Sequence, residues 1–307
     1  MRHPLFVAAF ACALWWSAPQ AALAADNGDA RDDLDTPAHN AVVRVGGCTG
    51  TLITDTIVLT AAHCLPLGWR AAQTPKDGTT CELLPQQHGL ADRPSEDPMR
   101  WYDIPLRKRA TVLIGVARPR PKMRALIAAY ALPRCADMAL LRLSRRVPPG
   151  IALPRSVVTA LPLEGLSLDQ RLQEATLRFA GWGLGDLSRG DLPLRQTGQT
   201  HYWDDNACSL FALPPTRANG ERIVTGDSGS PLLMEVDGEE RVIAVLFGAG
   251  IPDRPVCGVP SLRPPGRYGT YTPTWRGALE DTDGTDIASW LAHFAPEAIY
   301  PPVAQNN

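Results

Sequence analysis

Short runs rich in β-branched and aliphatic residues recur at 41–45, 50–54, 56–59, 110–116 and 138–143, and again at 175–180, 199–203, 231–236, 241–247 and 268–272. Glycine, proline and aspartate separate them, the punctuation of antiparallel strands joined by turns. One segment has a different period. Over 286–294, Ile287, Trp290, Leu291 and Phe294 fall three and four apart and share one face of a helix. The pattern therefore predicts an all-β chain closed by a C-terminal α-helix.

The N-terminus departs from this pattern. Met1-Arg2-His3 precedes an apolar run from Leu5 to Trp16, and Ala22-Leu23-Ala24 follows. A basic start, a short apolar core and a small-residue cleavage site make a secretory signal peptide over 1–24. Its core is shorter than the ~20 residues that span a bilayer. The reading is an exported protein, secreted or periplasmic, with no membrane association once the signal is removed. Residues 25–40 are acidic, have no apolar period, and read as a flexible leader.

Composition adds two constraints. Cys12 leaves with the signal peptide, and Cys48, Cys64, Cys81, Cys135, Cys208 and Cys257 remain, an even set suited to three disulfides in an oxidising compartment. No C-x-x-C pair is present, so the cysteines do not read as a metal site. The formal net charge of -2 gives no case for nucleic acid. The basic runs 107–109 and 118–124 read as solvated loop faces.

The candidate chemistry lies in Thr225-Gly226-Asp227-Ser228-Gly229-Ser230-Pro231, which sets one serine hydroxyl between glycines. A serine hydroxyl is barely acidic, so a nucleophilic Ser228 needs a base and a group to orient that base. Leu59-Thr60-Ala61-Ala62-His63-Cys64 offers His63, and Ala136-Asp137-Met138-Ala139-Leu140-Leu141 offers Asp137 at the mouth of an apolar run. A second aspartate, in Tyr102-Asp103-Ile104-Pro105, is set aside because a proline interrupts the strand that must follow.

In the order His, Asp, Ser, and with Gly181-Trp182-Gly183 and the closing Asp286-Ile287-Ala288-Ser289-Trp290-Leu291, the chain resembles the chymotrypsin/trypsin-like serine peptidases, in a bacterial-type form. The resemblance implies two antiparallel β-barrels with the active site in the cleft between them. The first would cover about 41–147, the second about 171–283, and a helix 286–294, all within one peptidase domain over 41–307. Residues 65–108 exceed what the family's first barrel needs and read as an inserted loop.

The resemblance also implies roles. His63, Asp137 and Ser228 would form the triad, the backbone N–H groups of Gly226 and Ser228 the oxyanion hole, and Asp227 the buried support of that turn. Arg222, Gly248 and Gly266 would line the substrate pocket. Arg222 replaces the aspartate of trypsin-type enzymes and argues against cleavage after basic residues. Leu246-Phe247-Gly248 stands where the family has Ser-Trp-Gly, which removes a hydroxyl that supports the catalytic aspartate. A Cys48–Cys64 bridge matches the family's bridge beneath the catalytic histidine; by elimination the other pairs are Cys81–Cys135 and Cys208–Cys257. The implied partners are a polypeptide substrate and a protein inhibitor, with no cofactor and a monomeric state.

Many relatives are activated by cleavage before Ile-Val-Gly-Gly, which frees an amino group for the aspartate beside the nucleophile. Arg44-Val45-Gly46-Gly47 resembles that string, but Cys48 follows too soon for the chain to reach the second barrel. The expectation is activation without cleavage at Arg44, with Arg178 as the partner of Asp227. A catalytically silent binding protein on the same fold is the alternative. A lipase of the α/β-hydrolase type is disfavoured, because Ser230 stands where G-x-S-x-G requires glycine.

Overall fold

The computed structural model describes residues 35–66, 98–117, 120–133, 136–183, 196–206, 209–213, 223–249, 269–275 and 287–301. Its strands form two closed six-stranded antiparallel barrels. The first consists of β1 (Val42–Val45), β2 (Cys48–Leu52), β3 (Ile57–Thr60), β5 (Thr111–Ala117), β6 (Arg120–Ala131) and β7 (Ala139–Leu143), in the order β6-β5-β1-β2-β3-β7 with β6 closing onto β7. A two-residue strand, β4 (Tyr102–Asp103), adds to the edge of β6. Val43, Leu52, Val58, Val112, Ile127 and Leu141 fill the barrel.

The second barrel consists of β9 (Leu177–Gly181), β10 (Gln196–Asn206), β11 (Ser209–Leu213), β12 (Pro231–Val236), β13 (Glu239–Ala249) and β14 (Gly269–Pro273). Its order is β12-β9-β10-β11-β14-β13, with β12 closing onto β13. Phe179, Leu210, Leu232, Ile243, Leu246 and Tyr271 are its core. Two short parallel strands extend it beyond β13: β8 (Val157–Val158), from the segment linking the barrels, and β15 (Ile299–Tyr300).

A third cluster lies between the barrels and under the C-terminal helix α2 (Ile287–Phe294), with Leu59, Leu140, Trp182, Leu233, Val245 and Trp290 among its members. The four residues that the periodicity put on one face of α2 are the four it buries. Trp290 is fully buried and its indole N–H donates to the carbonyl of Pro98 at 2.9 Å. Phe294 meets Trp101 edge to face. The helix thus holds the chain that enters β4, and losing an indole so placed costs on the order of 3–5 kcal/mol.

Several expectations need correction. The leader does not stay loose to residue 40: Asn40 is fully buried and its amide donates to Asp35 Oδ1 and to the carbonyl of Ile151, each at 3.0 Å. A buried amide with two acceptors is an anchored one. The run 118–124 is not simply a loop, since Arg120 opens the long strand β6. Lys122 and Arg124 are exposed while Met123 and Ala125 turn inward, the two-residue alternation of a half-buried strand. A helix absent from the hydrophobic pattern, α1 (Leu168–Glu174), starts at Ser167 with a capping box shared with Gln170. Residues 1–34 and 67–97 lie outside the described residues, so the signal peptide and most of the insertion do too. No helix among the described residues is long and apolar enough to cross a membrane.

Candidate active site

Strand register brings the first two candidates together. Thr60 on β3 pairs with Ala139 on β7, so His63, three residues beyond Thr60, and Asp137, two before Ala139, leave the barrel at the same end. After Ala61 the chain tightens into a 3-10 turn over Ala62–Cys64, and the Cys48–Cys64 disulfide fixes this turn to the start of β2. Asp137 Oδ1 accepts from the His63 backbone N–H at 2.9 Å, and Oδ2 lies 2.6 Å from His63 Nδ1. An ionised carboxylate only accepts hydrogen bonds, so Nδ1 carries the proton and a neutral ring keeps its lone pair on Nε2. Both side chains are largely buried, 15% and 11% exposed. Asp103 lies elsewhere, on the surface beside Arg142.

The Ser228 turn comes from the other barrel and lies against the same end. Gly226 has φ +100° and Gly229 φ +84°, conformations that glycine adopts without steric cost. The backbone oxygen of Ser228 accepts from Thr49 N–H at 2.8 Å and lies 3.6 Å from Sγ of Cys64, the neighbour of His63. A Cβ on Gly229 would sit 2.1 Å from the Thr49 carbonyl oxygen and 2.3 Å from Thr60 Oγ1. The glycine is therefore what lets the turn from one barrel close onto β2 and β3 of the other. Among the described residues, no backbone carbonyl takes the N–H of Gly226 or of Ser228.

Thr49 locks this closure, and the sequence reading missed it. Its hydroxyl donates to the Gly226 carbonyl at 2.8 Å and accepts from the Trp182 N–H at 2.8 Å. The Trp182 indole donates across the seam to the carbonyl of Val42 at 3.0 Å. The Gly181-Trp182-Gly183 string thus couples the Ser228 turn to the first barrel.

Asp227 is fully buried, and its Oδ2 accepts from the Val224 N–H at 2.9 Å. A Cβ on Gly181 would stand 2.5 Å from Asp227 Oδ1 and 2.5 Å from Ser230 Oγ. Arg178 is not the expected partner. In the alternation of β9, Phe179 points into the barrel and Arg178 out of it, where it meets Glu240 at 3.2 Å.

Of the pocket residues, Gly248 is half-buried, beside a register shift between β13 and β14, and a Cβ there would meet nothing within 4 Å. Arg222 and Gly266 lie outside the described residues, as do the Cys81–Cys135 and Cys208–Cys257 pairs. Two residues not singled out from sequence belong here. At Gly269 a Cβ would stand 2.7 Å from Ile223 Cδ1 and 2.6 Å from the Tyr271 ring; a glycine inside a strand is the signal for such close approach. Tyr271 is fully buried, and burial first, then the charge of Asp227, raises its phenol well above the usual range. Leu246 is buried in the second barrel, and its carbonyl accepts from the Gly229 N–H at 2.7 Å. Cys48, His63 and Cys64 offer ligand atoms within 4.8 Å of one another, but the two sulfurs are bonded to each other and no thiolate is left there for a metal.

Two closed six-stranded barrels meeting at such a cleft are the trypsin-like fold. The Trypsin family model matches residues 26–79, and together with the fold it supports the trypsin-like serine peptidases as the family of this chain. Among solved structures, one described as Glu endopeptidase in complex with MPD superposes with a TM-score of 0.51 at 14% identity, covering 83% of this chain and 94% of that one. At that identity the likeness speaks for the fold alone. The search of curated proteins gives no match.

Proposed function

We propose that this chain is an exported serine endopeptidase that hydrolyses peptide bonds through an acyl-enzyme intermediate, with His63, Asp137 and Ser228 as its triad. The observation that carries the reading is the double hold of Asp137 on His63, at the ring and at the backbone. It fixes the tautomer whose Nε2 accepts a proton. His63 takes the Ser228 proton as Oγ attacks the carbonyl and returns it to the leaving amine, while Asp137 stabilises the imidazolium. The N–H groups of Gly226 and Ser228, which no backbone carbonyl among the described residues takes, are the donors for the oxyanion. Water then cleaves the ester by the same route. The signal peptide over 1–24 and the Cys48–Cys64 disulfide support export.

The test is labelling of the purified mature protein with a fluorophosphonate, followed by cleavage of a peptide library. Label on Ser228 that disappears in Ser228→Ala, with library turnover, is the expected result. A folded protein that takes no label would instead be the silent binding protein, for which Leu246 in place of a serine is the supporting feature. The library also reads the pocket: no preference for Arg or Lys before the cut is expected, given Arg222.

A further inference from the structure

Charge is spread unevenly along this chain. Residues 98–147 hold twelve of its 30 Lys and Arg but only two of its 32 Asp and Glu. Of those two acids, Asp137 is buried against His63 and Asp103 pairs with Arg142. Arg146 and Lys122 reach outside the segment for their partners, to Asp55 and Asp35. No carboxylate among the described residues pairs with Arg107, Lys108, Arg124 or Arg145, and all four are exposed.

Strand register gathers these cations beside two exposed leucines. On β6, Lys122, Arg124 and Leu126 alternate with the buried Met123, Ala125 and Ile127, so they share the outer face of the strand. On one side the Leu126 carbonyl accepts from the Ser144 N–H at 2.8 Å, and the Arg145 guanidinium donates to the Arg124 carbonyl. On the other, Ile104 N–H donates to the Ala128 carbonyl at 2.8 Å and Ile127 N–H to the Ala110 carbonyl at 2.9 Å. Both ends of 104–110 are thereby tied next to Leu126, and the 3-10 turn Leu106–Lys108 stands out between them. Leu106 is 71% exposed and Leu126 36%. A lone exposed leucine is ordinary. Two leucines set among cations that have no carboxylate to pair with suit a surface that is anionic outside and apolar within.

We propose that this face docks the mature protein onto the surface of an anionic phospholipid bilayer, with Leu106 and Leu126 entering the headgroup layer and Arg107, Lys108, Arg124 and Arg145 meeting lipid phosphates. Clustered Lys and Arg are drawn to anionic headgroups, and an apolar side chain on a projecting turn gains by reaching the acyl boundary. A soluble polyanion would use the charges and leave Leu106 in water. The contact is peripheral, and it departs from the expectation of a mature chain with no membrane association. The patch lies at the far end of β7 from the triad, since Asp137 precedes the first residue of that strand and Ser144, beside Leu126, follows the last. Docking there leaves the cleft clear, and it does not depend on the chemistry assigned to Ser228.

The experiment is sedimentation of the mature protein, carrying Ser228→Ala so that binding is read without turnover, with vesicles of phosphatidylcholine alone or with roughly one third phosphatidylglycerol. Binding to the mixed vesicles only is expected, and it weakens as salt rises from about 0.1 to about 0.5 M. Arg107→Glu with Lys108→Glu should lower the partition coefficient about 10-fold or more, at about five-fold for each cation lost. Leu106→Ser changes a side chain that is mostly in water, so it spares the fold and the charge, and should lower the coefficient about five- to ten-fold. In Leu106→Trp, brominated lipid should quench fluorescence more strongly than in the parent. Equal binding to neutral and mixed vesicles, or parental binding in the charge-reversed or the serine variant, would overturn the proposal. Tighter binding to soluble polyglutamate than to the mixed vesicles would overturn it as well and assign the face to an acidic polymer.

Discussion

Asp137 holds His63 at two points, with Oδ2 2.6 Å from the ring Nδ1 and Oδ1 2.9 Å from the backbone nitrogen. The backbone bond fixes where the residue lies and the ring bond fixes its tautomer. Asp137→Asn keeps the size and one acceptor but favours the wrong tautomer. Its kcat is expected to fall about 10⁴-fold, with the unfolding midpoint much less affected. Steady-state kinetics on a cleaved library peptide, beside a urea melt, check both. Full activity in Asp137→Asn would remove the aspartate from the mechanism.

Thr49 ties the Ser228 turn and Trp182 to the first barrel through one hydroxyl. Thr49→Val conserves shape and strands the Gly226 carbonyl and the Trp182 N–H, both buried. Each is worth about 1–3 kcal/mol, so the variant should lose roughly 2–6 kcal/mol and show reduced kcat with little change in KM. Thr49→Ser should recover most of both. A valine variant as stable as the parent would show that the turn is held by other means.

Val45 is buried, and on β1 it pairs with Cys48 on β2 and Val112 on β5. An amino group freed there would have to leave the sheet to reach Asp227. Active protein is therefore expected to begin upstream of Val45. An inserted protease site at Arg44–Val45 should abolish activity when cut rather than confer it. N-terminal sequencing of active material and timed cleavage of the engineered form give the answer, and a native start at Val45 would contradict the structure.

Tyr271 supplies a pH dependence. Its folded pKa is raised by burial and by Asp227, so the unfolded state releases the proton first. The contribution is complete below the unfolded pKa of about 10 and is lost as pH rises above it, by about 1.4 kcal/mol per pH unit. Tyr271→Phe removes one ionising group, and its stability should fall less steeply above pH ~10 than that of the parent, while the two stay within about 1–2 kcal/mol near neutrality. Parallel curves for the two proteins in alkaline denaturation would rule out this coupling.

Most of the strands were legible because alternation and turn residues are local signals. β6 was obscured by Pro121 and by Lys122 and Arg124 on its exposed face, where the pattern read as a solvated loop. β8 and β15 are two residues each and exist only through pairing with distant chain, which no local pattern carries. α1 was legible in principle from its Ser167–Gln170 capping box, without a long apolar face to announce it. The site divides in the same way. The strings around His63, Asp137 and Ser228 supplied the candidates, and strand register explains why His63 and Asp137 meet. The face chosen by Arg178 depends on a one-residue phase, and Thr49 matters only because two barrels close onto it.

The parallel pairing of β15 with β8 also bears on synthesis. The inter-barrel connection exits the ribosome long before residues 299–300, which form one flank of its short ladder. A nascent chain holding both barrels still lacks that flank and the clamp of α2 on Pro98. The native seal therefore forms only after the strands of both barrels have been made, and a stall before residues 299–300 emerge would leave the molecule open along its back.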